Sequence, residues 1–467
     1  MSGGARRGYR DGMAGAALVR DHAAGVERLR ASLARIPVGA PVRLAKPTSN
    51  LFRSRARTSV PGLDTSGLTG VLSVDPVART AEVAGMCTYE DLVAATLPHG
   101  LTPLVVPQLR TITLGGAVTG LGIESASFRN GMPHESVLEL DVLTGTGEVL
   151  TTSPEQHPDL YRAFPNSYGT LGYATRLRIA LEPVQPYVAL RHVRFRALKD
   201  LLATMAEVVD SGSFEGVGVD YLDGVVFGAD EAYLCLGTST SAPGPVSDYS
   251  GQDIYYRSIQ HDHGIRHDRL AVEDYLWRWD TDWFWCSRAF GAQHPRLRRW
   301  WPRRHLRSSS YWKLLALDQR FALVDRVERL RGRPPRERVV QDVELPLERT
   351  GEFLDWFLGE VPIEPVWLCP VRLGQRWPLY PMPPERTFVN VGFWSTVPAG
   401  AVEGATNRRI EQRVGELDGH KSLYSDAYYA EDEFDDLYGG EDYRVARKTY
   451  DPDGRFLDLY TKAVRRR

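Results

Sequence analysis

Apolar and polar residues alternate with two different periods along the chain, and these periods predict its secondary structure. Every second residue of Tyr173–Leu181 is positioned to face a core, so we predict a half-buried strand there. The stretches Val71–Val74 and Thr80–Val83 flank the turn signal Asp75-Pro76 and predict a hairpin. Apolar residues at helical spacing predict a short amphipathic helix over Asp21–Leu33.

Capping and turn residues bound further elements. Thr88, followed by Asp91, opens a predicted helix that runs to Leu97. We also predict strands at Ser136–Leu143, Glu148–Thr152, Tyr187–Ala206, Tyr221–Phe227, Ala232–Leu236, Val339–Leu345 and Thr387–Phe393. A helix is predicted between the strands of residues 187–236, a helical turn at Asp159–Phe164 and a helix at Leu347–Leu358. Strands that alternate with short helices over residues 41–182 indicate an α+β fold.

Composition narrows the class of protein. The 467 residues are enough for two or three domains, and 43% hydrophobic and 25% charged residues are ordinary for a globular protein. The net charge of −2 gives no global case for nucleic-acid binding. Four cysteines lie far apart, which argues against a disulfide framework and predicts a reducing, cytoplasmic compartment. No signal peptide or membrane span is evident.

The segment Pro107–Gly131, PQLRTITLGGAVTGLGIESASFRNG, concentrates glycine and hydroxyl residues. Glycine lets the backbone approach a ligand, and successive N–H groups bind anions. The candidate ligand contacts are Thr111, Thr113, Gly115, Gly116, Gly120, Gly122, Ile123, Ser125, Ser127 and Gly131. A flexible glycine loop is an alternative. A Rossmann fingerprint at Gly120–Ser125 is disfavoured, because no predicted strand-to-helix context surrounds it.

This segment resembles the second flavin-contacting segment of the vanillyl-alcohol-oxidase (PCMH-type) FAD family, and more narrowly that of the delta-24 sterol reductases. Three further stretches are similar to that family, at 158–183, 339–370 and 420–429. The resemblance implies a PCMH-type FAD-binding domain and an α+β substrate domain with an antiparallel sheet. The predicted division is a disordered stretch at 1–20, the FAD domain at 21–185, the substrate or cap domain at 186–415 and a segment returning to the flavin at 416–467.

The resemblance also assigns candidate residues. Ser49, Asn50 and Arg53 lie where this family places its first pyrophosphate loop, and Gly169, Gly172 and Tyr173 lie where its backbone approaches the adenosine half. The loop contains no histidine for covalent attachment, so non-covalent FAD is expected.

In the returning segment, Lys421 and Tyr424 are expected to face the flavin ring, with Tyr424 as the first candidate acid and Glu124 as the second. A tyrosine-rich surface strand is the structural alternative for this segment.

The implied activity is reduction of a carbon–carbon double bond with electrons from NADPH. An Arg-, Ala- and Gly-rich composition indicates a bacterial source, and bacterial relatives in this group reduce a methylene-branched fatty acyl chain beside a partner methyltransferase. A phospholipid acyl chain is therefore the expected substrate. Alternatives are a sterol side-chain reductase, an alcohol or sugar oxidase, and a non-enzymatic lipid-binding protein with a degenerate flavin fold.

One region concentrates tryptophan and arginine. Tyr275–Trp312 holds seven of the eleven tryptophans and a cluster of arginines. Such residues suit a lipid–water interface, which predicts peripheral contact with the inner face of a membrane. A buried aromatic lid with a solvated basic edge is the alternative, and single-stranded nucleic acid is disfavoured. The histidines of His261–His267 are interpreted as a solvated loop, so no metal site is predicted.

Overall fold

The computed structural model of the protein describes residues 3–46, 52–53, 59–321, 332 and 334–465. Two antiparallel sheets, one of six strands and one of eight, carry helices around them. The predicted α+β class is therefore confirmed. Within these ranges, no helix is both long enough and apolar enough to cross a membrane.

The six-stranded sheet is built around β8 (Tyr173–Pro183), whose alternating residues are buried as its sequence pattern predicts. It pairs with β4 (Thr80–Ala84) along one edge and with β6 (Val137–Leu143) along the other. The predicted hairpin at β4 is also confirmed. The other strands of this part are β3 (Val71–Asp75), β5 (Leu101–Pro103) and β7 (Val149–Thr152), and a separate parallel pair is formed by β1 (Leu44–Ala45) and β2 (Leu63–Asp64).

Short helices connect these strands. Thr88 caps α2 (Tyr89–Thr96) as predicted, because its side-chain oxygen accepts from the Asp91 N–H at 3.2 Å. The glycine segment forms two helical turns that its sequence did not predict, α3 (Leu114–Thr119) and α4 (Ser127–Asn130). The remaining helices of this part are α1 (Gly3–Arg35), α5 (Pro158–Ala163) and the 3-10 turns Leu97–His99 and Pro133–Ser136.

The eight-stranded sheet has the order β14-β9-β13-β12-β16-β17-β15-β18. Its strands are β9 (Tyr187–Phe195), β12 (Tyr221–Gly228), β13 (Glu231–Thr240), β14 (Ile265–Ala271), β15 (Arg336–Pro346), β16 (Val366–Val371), β17 (Phe388–Pro398) and β18 (His420–Lys421). A small hairpin, β10 (Ser213–Phe214) with β11 (Val217–Gly218), lies apart from it. Strand β8 ends in the first sheet at Pro183 and β9 begins in the second at Tyr187.

The two faces of the eight-stranded sheet differ. One face packs its valines, leucines and phenylalanines against the apolar sides of α6 (Leu198–Ser211) and α11 (Leu347–Glu360). The other face turns toward the six-stranded sheet. The other helices of this half are α7 (Tyr255–Ile259), α8 (Val272–Leu276), α9 (Pro295–Arg298), α10 (Ser308–Phe321), α12 (Ala405–Glu416), α13 (Glu431–Leu437), α14 (Gly440–Tyr450) and α15 (Leu459–Ala463), with 3-10 turns at Cys286–Phe290 and Arg303–His305.

Three predictions differ from the structure. Residues 1–20 were expected to be disordered and the helix to begin at Asp21, but α1 begins at Gly3. The stretch 187–206 divides into β9 and the first part of α6, because its period changes from two to helical after Phe195. His267 lies in strand β14 rather than in a loop, paired with Arg191 of β9.

Candidate functional site

A cavity of about 290 Å³ lies between the glycine segment and the inward face of the eight-stranded sheet. The cavity is lined by residues of the glycine segment and of the eight-stranded sheet. The loop that contains Phe52 and Arg53, the turn at Tyr424 and the C-terminal residues Leu457 and Lys462 also line it. These residues are far apart in sequence, so both halves of the fold are needed to form the cavity. It has two chemically different ends, which we call the lysine end and the aromatic end.

The lysine end is formed by Lys46, Lys462 and the backbone around Gly116 and Gly169. The Lys46 ammonium lies 3.5 Å from the Thr113 hydroxyl, and the Lys462 ammonium donates to the Gly169 carbonyl at 3.3 Å. Two cations beside exposed backbone and a hydroxyl are suited to phosphate oxygens.

The aromatic end is formed by the inward face of the sheet. Alternation along β17 turns Asn390 and Trp394 into the cavity and leaves Val391 and Phe393 in the core on the far face. Asp342 of β15 lies opposite Gly392, where an added Cβ would fall 2.5 Å from the Asp342 Oδ1. The glycine therefore makes room for the carboxyl. Further rings complete this end, from Phe52, Trp283, Phe284, Trp367 and Tyr424.

Tyr424 and Asp342 form a hydrogen-bonded pair at the aromatic end. The Trp394 Nε1 donates to the Tyr424 hydroxyl at 2.8 Å, and that hydroxyl is also hydrogen-bonded to the Asp342 carboxyl. Burial raises the pKa of Asp342 to about 6, although the hydrogen bonds from Asn390 and Tyr424 lower it. Burial, together with the Asp342 carboxyl, raises the pKa of Tyr424 well above its ordinary value.

The position of Tyr424 is fixed by its backbone. Its carbonyl accepts from the N–H of Phe52 at 2.8 Å and of Arg53 at 3.3 Å. The Arg53 guanidinium donates to the Leu423 carbonyl at 3.1 Å and lies over the Tyr168 ring, and the Tyr168 hydroxyl accepts from the Leu423 N–H. The first loop and the C-terminal segment thus hold each other at the cavity.

The glycine segment lines the middle of the cavity, but some of its N–H groups already donate to backbone carbonyls of the protein. The Gly115 N–H donates to the Gly85 carbonyl at 3.0 Å, and an added Cβ on Gly115 would fall 2.6 Å from that oxygen. Gly122 is wedged between two prolines, Pro107 and Pro133, whose Cγ atoms would lie within 2.8 Å of an added Cβ. These glycines are required for close packing of the cavity wall as well as for access to a ligand.

The predicted site residues divide into three groups. The cavity is lined by Arg53, Thr113, Gly115, Gly116, Gly120, Gly122, Ile123, Gly169, Tyr173 and Tyr424. It is not lined by Thr111, Glu124, Ser125, Ser127, Gly131, Gly172 or Lys421. Ser49 and Asn50 lie outside the described residues.

Lys421 was expected to face the flavin beside Tyr424, and the structure places it elsewhere. It pairs with Val343 across β18 and β15, so its side chain points to the far face of the sheet. There its ammonium contacts the Glu411 carboxylate at 2.6 Å and both side chains are fully buried. The strand ends at Lys421 and the chain turns at Leu423 and Tyr424, so the two side chains point in different directions.

Glu124 was the second candidate acid, and it too points away from the cavity. Its neighbour Ile123 lines the cavity, whereas Glu124 contacts the buried guanidinium of Arg278 at 2.9 Å. Arg278 also contacts Asp223 at 2.8 Å. Burial raises the pKa of Glu124, partly offset by the charge of Arg278.

The other predicted contacts outside the cavity have structural roles. The Ser125 hydroxyl lies 2.9 Å from the Tyr275 hydroxyl, and the Ser127 hydroxyl accepts from the Glu124 N–H. Gly131 has a φ of +66° and an added Cβ would collide with Glu135. Gly172 has a φ of +140° and approaches the Leu143 carbonyl.

The Trp/Arg-rich region is partly buried and partly exposed, and membrane contact by it stays a prediction. Trp277, Trp279, Trp283 and Trp285 are buried, and Trp283 and Phe284 form part of the cavity wall. Trp300, in contrast, is 83% exposed.

Sequence reasoning missed several polar residues that line the cavity, among them Lys46, Asp342, Asn390 and Lys462. A signal for Asp342 existed, because VVQDVELPL places the polar residues Gln341, Asp342 and Glu344 among apolar residues of a predicted strand. Lys46 precedes the loop residues that were chosen. Lys462 lies near the C-terminus on a short helix whose local pattern gives no indication of a site.

Comparison with known proteins gives two kinds of similarity. A family profile described as an FAD binding domain matches residues 17–153. The delta(24)-sterol reductase of Homo sapiens is 25% identical over 417 residues, covering 85% of this chain and 76% of that protein. The Arabidopsis thaliana enzyme of the same name is 25% identical over 445 residues, covering 87% and 77%. Cytokinin dehydrogenase 2 of Oryza sativa is 34% identical, but over only 163 residues, or 33% of this chain and 28% of that protein.

Proposed function

We propose that the protein reduces an isolated carbon–carbon double bond of a lipid with electrons from NADPH, because residues 17–153 match an FAD binding domain and the chain is similar to delta(24)-sterol reductases over most of its length. The observation that carries this proposal is the Tyr424–Asp342 pair, a proton donor with its own proton source, set among aromatic rings at one end of the cavity.

The residues present fit FAD. Lys46 and Lys462 would bind its phosphates, and the aromatic end would hold its ring. Asn390 Oδ1 has no hydrogen-bond partner within the described part of the chain, which suits a ring N–H as donor. None of the described histidines lines the cavity, which favours non-covalent binding. When bound, FAD would supply two-electron hydride transfer between NADPH and one carbon of the double bond.

Tyr424 then provides the proton that the second carbon requires. Its raised pKa keeps the hydroxyl protonated at neutral pH, and the Trp394 N–H stabilises the oxygen once the proton has left. Asp342 returns a proton to Tyr424 and takes a new one from solvent. The balance is one hydride from NADPH and one proton from solvent, giving NADP⁺ and a saturated carbon–carbon bond.

The substrate class that we favour is a methylene-branched fatty acyl chain of a phospholipid, reduced to its methyl-branched form on the cytoplasmic side of a membrane. A methyltransferase would supply such a substrate. The apolar aromatic end supports a hydrocarbon acceptor. A sterol side chain is the second candidate, because the relatives that match over most of the chain are delta(24)-sterol reductases. Oxidation of an alcohol or sugar is a third candidate, and the partial match to cytokinin dehydrogenase 2 supports only the dehydrogenase class of that candidate.

An absorbance spectrum followed by NADPH addition without oxygen tests this proposal. We expect a bound flavin band that NADPH bleaches and that an unsaturated lipid restores. A band that resists NADPH but is bleached by alcohols or sugars would favour the oxidase. A protein without flavin that binds lipid would favour the non-enzymatic alternative and would contradict our assignment of the cavity.

A further inference from the structure

The segment Pro295–His305 carries an unusual exposed surface. Leu297 is 54% exposed and Trp300 is 83% exposed, and the Trp300 N–H donates to the Leu297 carbonyl at 3.0 Å, which places them one turn apart. Four arginines around them are also exposed: Arg296, Arg299, Arg303 and Arg304. We call these six residues the Trp300 face. An exposed indole beside a leucine is costly in water and indicates a surface that becomes covered.

The charge of this region contrasts with that of the whole chain. Residues 283–317 contain eight Arg or Lys and no Asp or Glu, although the protein as a whole has a net charge of −2. In the Trp300 face, Arg303 contacts Asp248 at 3.0 Å, with both side chains more than half exposed. A single exposed pair neutralises little of the charge. The Trp300 face is therefore both basic and apolar.

One arginine of the same run shows how the segment is anchored. Arg298 is buried and contacts the Asp282 carboxylate at 2.7 Å, and it also donates to the Gly251 and Asp253 carbonyls. This fixes one side of α9 to the protein. Arg296 and Arg299 flank Arg298 but lie on the exposed side. The outward arginines are thus presented by an anchored segment.

The Trp300 face is connected to the cavity wall through packed rings. Trp301, the next residue, lies 6.1 Å from the Tyr311 ring, and Tyr311 belongs to the same apolar cluster as Trp283. Trp283 stacks on Phe52 at 5.6 Å, and both line the aromatic end of the cavity. A surface that covers Trp300 would therefore lie close to the end where we place the acceptor.

We propose that the Trp300 face docks on the surface of an anionic phospholipid bilayer. Tryptophan is favoured at the depth of lipid headgroups, and arginine binds their phosphates. Docking would set the aromatic end of the cavity against the source of an acyl substrate. That last consequence rests on the proposed function, whereas docking itself can be measured without it.

Flotation with vesicles of phosphatidylcholine, with or without phosphatidylglycerol, tests the docking. The holoprotein is expected to float with the anionic vesicles, and less so as salt is raised. Arg296→Gln with Arg299→Gln should weaken binding about 25-fold, since one arginine near an anionic surface contributes about fivefold. Trp300→Ala should weaken binding at low and high salt alike, because its contribution is apolar. The matched control is Arg349→Gln with Arg409→Gln, two arginines on α11 and α12.

Each outcome decides the proposal. No flotation with anionic vesicles, or an equal loss in the control pair, overturns it. If Trp300→Ala has no effect and heparin or single-stranded DNA competes fully, the Trp300 face binds polyanions and not a bilayer. Each variant should retain its flavin band and its thermal unfolding temperature, so a folding defect is recognised. Because flavin bleaching by NADPH is measured without vesicles, failure of docking and failure of the proposed reaction remain separate.

Discussion

Two groups of buried carboxyls lie on opposite sides of the cavity wall, and they differ in their partners. Glu124 and Asp223 share the guanidinium of Arg278, whereas Asp342 is hydrogen-bonded to two neutral groups, Asn390 and Tyr424. The charge of Arg278 lowers the pKa of Glu124, which burial raises, and Arg278 forms ion pairs with both carboxylates. Neutral partners leave the carboxyl able to gain and lose a proton near neutral pH. The comparison separates a structural cluster from a group suited to proton transfer.

Removal of the Arg278 guanidinium should have the largest effect of the substitutions predicted below. Arg278→Met leaves two carboxylates buried without a counterion, and we expect a loss in free energy of unfolding of at least about 3–5 kcal/mol. Thermal or urea unfolding measures it. Arg409→Met is the matched control, since its pair with Glu360 at 2.8 Å is exposed and should cost about 1 kcal/mol or less. Equal losses in the two variants would show that the Arg278 cluster is not a stabilising ion network.

The second prediction concerns Tyr424, the hydrogen-bond partner of Asp342. Tyr424→Phe removes the proposed proton donor and should slow reoxidation of the flavin by the unsaturated lipid about 100-fold or more. Bleaching by NADPH should remain close to that of the unchanged protein, because that step requires no acid. Stopped-flow absorbance measures both steps. Tyr460→Phe is the control, since that residue does not line the cavity and its hydroxyl donates to the Tyr429 carbonyl at 3.4 Å. If Tyr424→Phe slows both steps equally, Tyr424 is not the acid.

These contrasts also show what could be predicted from the sequence. Alternation fixed β8 and the hairpin at β4 because each strand has one buried face, and capping fixed α2 at Thr88. The glycine segment was identified from its composition, and most of its glycines line the cavity. The side chains that complete the aromatic end were harder to identify. Asp342, Asn390 and Tyr424 meet only through the pairing of strands distant in sequence, and no local pattern encodes that pairing.

The same reasoning explains why two candidate residues point away from the cavity. Lys421 and Glu124 were chosen by their nearness in sequence to flavin-contacting residues, and in an extended or turning backbone immediate neighbours point in different directions. Each has a buried partner of opposite charge, Glu411 and Arg278, contributed by another part of the chain. The roles of Lys421 and Glu124 depend on these ion pairs with residues distant in sequence, which no local pattern encodes.

The third prediction uses the raised pKa of Asp342. A carboxyl whose pKa is higher in the folded than in the unfolded protein contributes stability below its unfolded pKa and loses it as the pH rises through about 6. Asn cannot ionise, so Asp342→Asn avoids this loss of stability. At pH 8 the free energy of unfolding of the variant should be higher by up to about 3 kcal/mol, and near pH 4 it should differ little. Unfolding temperatures at both pH values measure it, with Asp230→Asn, in an exposed turn, as control. The stabilised variant should still turn over more slowly, since Tyr424 loses its proton source.

The smallest expected effect belongs to Trp394, which donates to the Tyr424 hydroxyl at 2.8 Å. Trp394→Phe keeps an aromatic ring in the cavity but removes this single hydrogen bond, which is worth about 1 kcal/mol. We expect the protonation step to slow about fivefold, and the loss to be absent when Tyr424 is already phenylalanine, because the two groups act on the same proton. A double-mutant cycle on flavin reoxidation measures this coupling. Independent, additive losses would mean that Trp394 contributes only to packing, and the chemical character of this side of the cavity would then rest on Asp342 and Tyr424 alone.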